Sequence, residues 1–125
     1  MSKRTSAKKP KPMNAFYAQS GGVSAVTVQQ TLAASNGRPV FLELYSDYCL
    51  ACRRAKPTVD RLAENWGDEV AVLRLNVQDP SAQPLLAELN FRFTPTFILF
   101  DGDGREIWRT NGLVNPDEVN EQLEQ

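Results

Sequence analysis

The segment VFLELY, residues 40 to 45, constrains the fold of this chain more than any other stretch. A strand that is exposed on one face alternates apolar and polar residues, whereas a strand covered on both faces is apolar along its whole length. Strands of the second kind belong mostly to parallel sheets with helices packed on both sides. The segment therefore predicts a buried strand in an α/β domain, and its one charged residue, Glu43, is unexpected there.

Strand and helix patterns alternate around this segment. Apolar residues at helical spacing predict a short helix that begins near Ser24 and ends by Gly37. A longer helix is predicted before the stop signal at Gly67, and residues 70 to 77 (VAVLRLNV) predict a second buried strand. Because a strand, a helix and a strand follow one another, we expect the two strands to be parallel and covered by helices.

The C-terminal half adds a further helix, a hairpin and a final helix. A turn at residues 79 to 81 (DPS) leads into an apolar helix. Residues 96 to 100 (TFILF) and 106 to 110 (EIWRT) flank the turn sequence DGDG, which predicts an antiparallel hairpin. Asn115 and Pro116 then supply an N-cap and a proline for the first turn of the last helix. The sheet is therefore predicted to be mixed.

The composition fits one domain preceded by a basic tail. The chain has 125 residues, of which 42% are apolar, and this is enough for one core. Residues 1–22 are predicted to form a disordered tail and residues 23–125 a single domain, which we expect to be monomeric. The basic residues of the tail lack the interleaved aromatic residues typical of nucleic-acid binding, so no nucleic-acid partner is expected. They are Lys3, Arg4, Lys8, Lys9 and Lys11.

Apolar runs in this chain are short. None has the length of a signal-peptide core or of a membrane span, which needs about 18 apolar residues. We therefore expect no membrane span, and the pattern favours a cytoplasmic location. An organelle-targeting peptide is the alternative, because no acidic residue precedes Glu43.

Two cysteines, Cys49 and Cys52, lie where the first buried strand gives way to a helix, and the chain contains no others. Open α/β sheets hold their reactive groups at the carboxyl ends of strands. Unpaired backbone N–H groups and the helix dipole at this position lower the pKa of a thiol. Cys49 is therefore predicted to be the attacking thiolate. Cys52, one turn further along the helix, is predicted to be the more shielded, resolving thiol within disulfide reach.

The order of elements, together with the motif YCLAC at residues 48 to 52, resembles the thioredoxin family, whose usual motif is WCGPC. The resemblance covers about residues 24 to 123. It implies the α/β thioredoxin fold, in which a central mixed β-sheet is flanked by helices, and dithiol–disulfide exchange with protein substrates. The chain also resembles, within this family, the thioredoxin-like domains of membrane-tethered disulfide reductases.

The resemblance implies substrate-binding roles for four residues. Thr94 and Pro95 correspond to the family's cis-proline segment, which faces the disulfide, and Gly112 corresponds to a glycine that lines the substrate groove. Tyr48 stands in place of the usual tryptophan beside the first cysteine. Because proline has no N–H, we expect the Thr94 backbone to pair with an extended substrate strand. The alternative is an ordinary trans proline that begins a strand.

Glu43 falls where the family keeps a buried acid that helps to move the proton of the second thiol. Burial in an apolar strand disfavours a carboxylate anion, so we expect a raised pKa for Glu43. A raised pKa would suit proton exchange with Cys52 through water. The alternative is that the Glu43 side chain reaches the edge of the sheet and solvent.

Thiol–disulfide exchange, most readily as a reductase with an upstream electron donor and disulfide-containing protein substrates, is the function that these features favour. We expect no cofactor and no resident metal. A metal carrier is one alternative: zinc would need two ligands beyond the C-x-x-C pair, and the chain has no histidine, which leaves a site shared between two chains or Cu(I). A redox-inactive binding module with the same fold is the other alternative.

Overall fold

The computed structural model describes residues 22–34 and 37–125. The predicted basic tail lies outside this part of the chain, apart from Gly22. Helices and strands alternate within it. In chain order they are α1 (Ala25–Ala34), β1 (Val40–Tyr45), α2 (Leu50–Trp66), β2 (Ala71–Asn76), a 3₁₀ turn (Pro80–Ala82), α3 (Gln83–Glu88), β3 (Thr96–Phe100), β4 (Glu106–Asn111) and α4 (Pro116–Leu123).

The strands form one sheet in the order β2-β1-β3-β4. β1 and β2 run parallel, as the β1-α2-β2 order predicts, with Val40 opposite Ala71 and Glu43 opposite Arg74. β3 is antiparallel to both β1 and β4, and β3 and β4 form the predicted hairpin. The mixed sheet flanked by helices is therefore confirmed.

Helices cover both faces of β1, whose six residues are all buried. Successive side chains of a strand point to opposite faces. Leu42 and Leu44 accordingly pack in one core cluster with residues of α1 and α3. Phe41 packs in a second cluster with α2 and α4. There its ring centroid lies 5.4 Å from that of Trp66 and 5.7 Å from that of Phe97.

Local signals set the helix ends. The Asn115 side chain accepts hydrogen bonds from the backbone N–H groups of Asp117 and Glu118 in the first turn of α4. Gly67 has a φ of 55°, and its N–H donates to the carbonyl of Ala63 at 3.0 Å, which ends α2. Both predicted signals are confirmed. They could be predicted from the sequence because a cap or stop depends only on neighbouring residues.

Turn chemistry accounts for the hairpin. The Asp101 carboxylate accepts hydrogen bonds from the N–H groups of Arg105 and Asp103 at 3.0 and 2.9 Å. These bonds lower the pKa of Asp101, that from Arg105 contributing most. The DGDG segment is thus a turn stabilised by its own first side chain.

No helix among those described is both long and apolar enough to cross a bilayer.

Candidate active site

Three segments meet at one edge of the sheet. β1 ends at Tyr45, beside the start of β3, because Leu44 pairs with Thr96. Thr96 in turn pairs with Asn111, the last residue of β4. The turn that carries the cysteines follows β1, Thr94 and Pro95 precede β3, and Gly112 follows β4. The sheet register therefore brings all the sequence-predicted site residues except Glu43 to this edge, and Glu43 lies within β1 itself.

Cys49 and Cys52 are joined by a disulfide, with their Cα atoms 5.2 Å apart. Cys49 is the N-cap of α2, and its Sγ accepts a hydrogen bond from the backbone N–H of Cys52 at 3.0 Å. Cys49 is half-buried, whereas Cys52 is only 5% exposed. The geometry therefore gives the two sulfurs unequal access to solvent and places the more accessible one at the positive end of the helix dipole.

Glu43 is only 1% exposed. Its Oε1 lies 3.3 Å from Nε of Arg74, the residue opposite it on β2. Burial raises the pKa of Glu43, and the neighbouring Arg74 guanidinium partly offsets this rise. The predicted burial and raised pKa are confirmed, and the alternative in which Glu43 reaches solvent is wrong.

Arg74 is a site residue that the sequence interpretation missed. Its guanidinium carbon lies 3.8 Å from the centroid of the Tyr45 ring, so the side chain contacts both Tyr45 and Glu43. One signal was present in the sequence, because each buried strand segment contains a single charged residue of opposite sign. Pairing these two residues requires the β1–β2 register, which the sequence pattern does not specify.

A cleft of about 230 Å³ opens beside Cys52 and reaches Arg74. At about 30 Å³ per water molecule, it has room for several. Arg74 therefore lines this cleft and also contacts the buried Glu43. The cleft is lined by Tyr45, Ser46, Asp47, Cys52, Arg53, Lys56, Arg74 and Asn76.

The Thr94–Pro95 peptide bond is cis, as predicted, and the trans alternative is wrong. The carbonyl of Pro95 accepts a hydrogen bond from the N–H of Gly112 at 3.0 Å, which ties the loop after β4 to the loop before β3. Gly112 has a φ of 83°, and a Cβ placed there would meet no atom within 4 Å. Glycine is therefore favoured at this position by backbone conformation rather than by lack of space.

Comparison with known proteins agrees with this geometry. A family model of the thioredoxin-like domain matches residues 26–125. The chain belongs to the thioredoxin-like family.

Relatives of this thioredoxin-like chain include proteins named for disulfide exchange. It is 35% identical over 94 residues to the thiol:disulfide interchange protein DsbD of Yersinia enterocolitica, a match that covers 70% of this chain and 16% of DsbD. It is 34% identical over 74 residues to the chloroplastic thioredoxin-like protein HCF164 of Arabidopsis thaliana, covering 59% of this chain and 28% of that protein. The chain thus spans well under half the length of these two relatives.

Thioredoxin f from spinach chloroplast resembles the thioredoxin-like chain in structure. The TM-score is 0.70 at 24% sequence identity, over 82% of this chain and 81% of the spinach chain. At this identity the likeness concerns the fold.

Exposed apolar side chains surround the cysteines of the thioredoxin-like domain. Tyr48 is 83% exposed and Leu113, next to Gly112, is 86% exposed. Leu50, which follows Cys49, and Phe93, in the loop before β3, are each 55% exposed. Sequence interpretation identified only Tyr48 in this set, because an apolar residue in a loop sequence carries no sign of whether it is buried.

Among the residues that the structure describes, no group of three or more His, Cys, Asp and Glu side chains could hold a metal ion. The two cysteines are bonded to each other and so present no thiolate to a metal in this state.

Proposed function

We propose that this thioredoxin-like domain reduces disulfides of protein substrates by exchange with its own Cys49–Cys52 pair. The observation that carries the proposal is the inequality of the two sulfurs, since Cys49 caps α2 at a half-buried position and Cys52 is buried one turn later. An attacking thiolate needs access and stabilisation of its charge. A resolving thiol needs only to reach its neighbour, and its shielding from solvent prevents competing reactions.

In the first step the Cys49 thiolate attacks one sulfur of the substrate disulfide. A bond forms between Cys49 Sγ and that sulfur while the substrate S–S bond breaks. The other substrate sulfur leaves as a thiolate and takes a proton from water. The backbone N–H of Cys52, which donates to Cys49 Sγ at 3.0 Å, stabilises the attacking thiolate before this step.

In the second step Cys52 resolves the mixed disulfide. Its proton passes to the Glu43 carboxylate through water in the cleft beside Cys52, because Glu43 is buried with a raised pKa and contacts Arg74, which lines that cleft. Cys52 Sγ then attacks Cys49 Sγ, the intramolecular disulfide forms, and the second substrate sulfur leaves as a thiolate. Two electrons have passed to the substrate, so an upstream dithiol donor must reduce the pair again.

Substrate docking uses the loops at the same edge of the sheet. The backbone N–H and C=O of Thr94 form no hydrogen bond to other described residues, so they can pair with an extended segment of substrate. Pro95 and Gly112 hold this loop in place through their backbone bond. Exposed Tyr48 supplies an apolar contact next to Cys49.

The test compares Cys49→Ser with Cys52→Ser in the reduction of insulin by dithiothreitol. Cys49→Ser should abolish the catalysed rate, because a serine hydroxyl is a far weaker nucleophile than a thiolate near neutral pH. In a separate incubation without dithiothreitol, the pre-reduced Cys52→Ser variant should still carry out the first step and accumulate mixed disulfides with insulin, and these should dissolve when dithiothreitol is added. Non-reducing gels and mass spectrometry detect these adducts.

Wild-type protein that leaves insulin and other protein disulfides unreduced, together with a Cys52→Ser variant that forms no adducts, would overturn the proposed function. Equal loss of bound metal in both variants, without adducts, would instead favour a metal carrier. The direction of the reaction is tested by the redox potential against glutathione: a value near about −270 mV supports a reductase and one near about −120 mV an oxidant.

A further inference from the structure

A buried hydroxyl links the loop before β3 to the end of β4. Thr96, the first residue of β3, is only 1% exposed. Its Oγ1 donates to the carbonyl of Phe93 at 2.7 Å and accepts from the side-chain amide of Asn111 at 2.7 Å. The amide nitrogen of Asn111 can only donate, so the Thr96 oxygen is its acceptor and the hydroxyl proton points to the Phe93 carbonyl. The chain of hydrogen bonds therefore runs from Asn111 through Thr96 to the backbone at Phe93.

These hydrogen bonds anchor the backbone before Thr94, and a separate hydrogen bond anchors the backbone after it. The carbonyl before Thr94 belongs to Phe93 and is held by the Thr96 hydroxyl. On the C-terminal side of Thr94, the carbonyl of Pro95 accepts a hydrogen bond from the N–H of Gly112 at 3.0 Å. Thr94 itself forms no hydrogen bond within the described part of the chain. Both neighbouring peptide groups are thus fixed, while the N–H and C=O of Thr94 stay available.

Asn111 takes part in both anchors. Its side chain holds Thr96, its own carbonyl accepts from the N–H of Leu113 at 3.1 Å, and the intervening Gly112 bonds to Pro95. The orientation of the loop after β4 and that of the loop before β3 are therefore set together. A change at either Asn111 or Thr96 would loosen the same backbone.

We propose that Thr96 and Asn111 are positioning residues that hold the Thr94 backbone in the conformation that pairs with protein substrates. The inference rests on the proposed thiol–disulfide exchange and adds to it the side chains that preorganise the docking loop. Neither residue touches the reacting sulfur atoms. Their loss should weaken the recognition of an extended polypeptide and leave the chemistry at Cys49 unaltered.

The experiment measures reduction of two substrates by the full chain. Insulin presents an extended polypeptide to the Thr94 backbone, whereas hydroxyethyl disulfide has no peptide groups that could pair with it. Thr96→Val keeps the shape of the side chain and removes the hydroxyl. We expect it to lower kcat/KM for insulin about three- to tenfold, mainly through KM, as for the loss of one hydrogen bond. Its rate with hydroxyethyl disulfide and its redox potential should match those of the wild type.

Three further variants complete the test. Thr96→Ser retains the hydroxyl and should restore the insulin KM. Asn111→Ala removes the amide that donates to Thr96, and the substituted residue is exposed rather than buried. It therefore tests the same series of hydrogen bonds and should raise the insulin KM as well. Thr110→Val is the matched control, because it makes the same chemical change on β4 at a residue whose side chain points to the opposite face.

The outcomes separate the two proposals. A wild type that reduces neither substrate overturns the proposed function. If the wild type reduces both, then an unchanged insulin KM in Thr96→Val and Asn111→Ala overturns the positioning role. An equal fall in activity with both substrates also overturns it, because a merely structural defect would produce that result. A Thr96→Val variant that does not fold leaves Asn111→Ala and Thr96→Ser to decide.

Discussion

At the scale of single residues, burial and neighbouring charges act in opposite directions on the pKa of Glu43. Burial raises its pKa from the ordinary value of 4.5, whereas the Arg74 guanidinium and, more weakly, Lys56 on α2 lower it. Asp60, also on α2, adds to the rise. Burial prevails, so the folded protein binds this proton more tightly than the unfolded chain does. The contribution of Glu43 to stability is then complete below pH 4.5 and is lost as the pH rises through the folded pKa.

Glu43→Gln should therefore change the pH dependence of stability. Relative to the variant, the wild type should lose free energy of unfolding as the pH rises above 4.5, by at most about 1.4 kcal/mol per pH unit. The variant should also slow resolution of the mixed disulfide, because the amide cannot accept the proton of Cys52. Urea unfolding of both proteins between about pH 4 and 8 measures the first effect.

Glu64→Gln, at an exposed position on α2, is the control for this substitution. Wild-type and Glu43→Gln stability curves that run parallel over the whole range would contradict the assignment of the raised pKa to Glu43.

At the scale of elements, the N-terminus of α2 makes the two cysteines different. An N-cap side chain lies outside the helix and faces its unpaired N–H groups, while a residue in the first turn is covered by the helix. Cys49 takes the first position and Cys52 the second, with its side chain in the protein interior. The strand-to-helix turn by itself therefore exposes the Cys49 thiol to solvent and substrate and keeps the Cys52 thiol buried.

Alkylation of the reduced protein should follow this difference. At neutral pH, iodoacetamide should modify Cys49 at least about ten times faster than Cys52, because reactivity follows thiolate character and exposure. Peptide mapping by mass spectrometry at short reaction times gives both rates. The rates should converge in urea, where α2 is unfolded. Faster modification of Cys52 in the folded protein would contradict the proposed order of attack and resolution.

At the scale of the whole molecule, β1 belongs to two cores. Leu42 and Leu44 pack in the layer of α1 and α3, and Phe41 packs in the layer of α2 and α4. One central strand therefore joins the two layers, and Glu43 lies on the same face of that strand as Phe41. Loss of packing in one layer should destabilise the other layer, because both pack against this strand. The described domain is therefore expected to unfold as one cooperative unit.

Phe41→Ala tests this cooperativity. The residue is fully buried and contacts Trp66 and Phe97, so the substitution should lower the free energy of unfolding by about 3–5 kcal/mol. Tryptophan fluorescence, which reports the second core, and far-UV circular dichroism, which reports all helices, should give the same midpoint in urea. Phe41→Leu is a milder variant, and Ile107→Ala, at an exposed position on β4, is the control. Two separate midpoints would show that the layers unfold independently.

Prediction from the sequence succeeded where the cause is local. The apolar run of β1, the N-cap at Asn115, the stop at Gly67 and the DGDG turn each depend on residues within one element or its immediate neighbours. The placement of Cys49 and Cys52 on a strand-to-helix turn follows from the same patterns. Element ends were predicted less closely: β2 spans Ala71–Asn76 rather than residues 70 to 77, because it pairs with β1 over only those six residues.

By itself, then, the sequence determined the order of elements, the double burial of β1, the position of the cysteine pair and the anomaly of Glu43. Tertiary structure alone decided that Arg74 pairs with Glu43 and that Asn111 reaches Thr96. Each of these contacts joins residues on different strands, and it exists only for one register of those strands. Register is set by how whole faces pack and how turns close, so contacts across strands follow from the assembled sheet and not from any single segment.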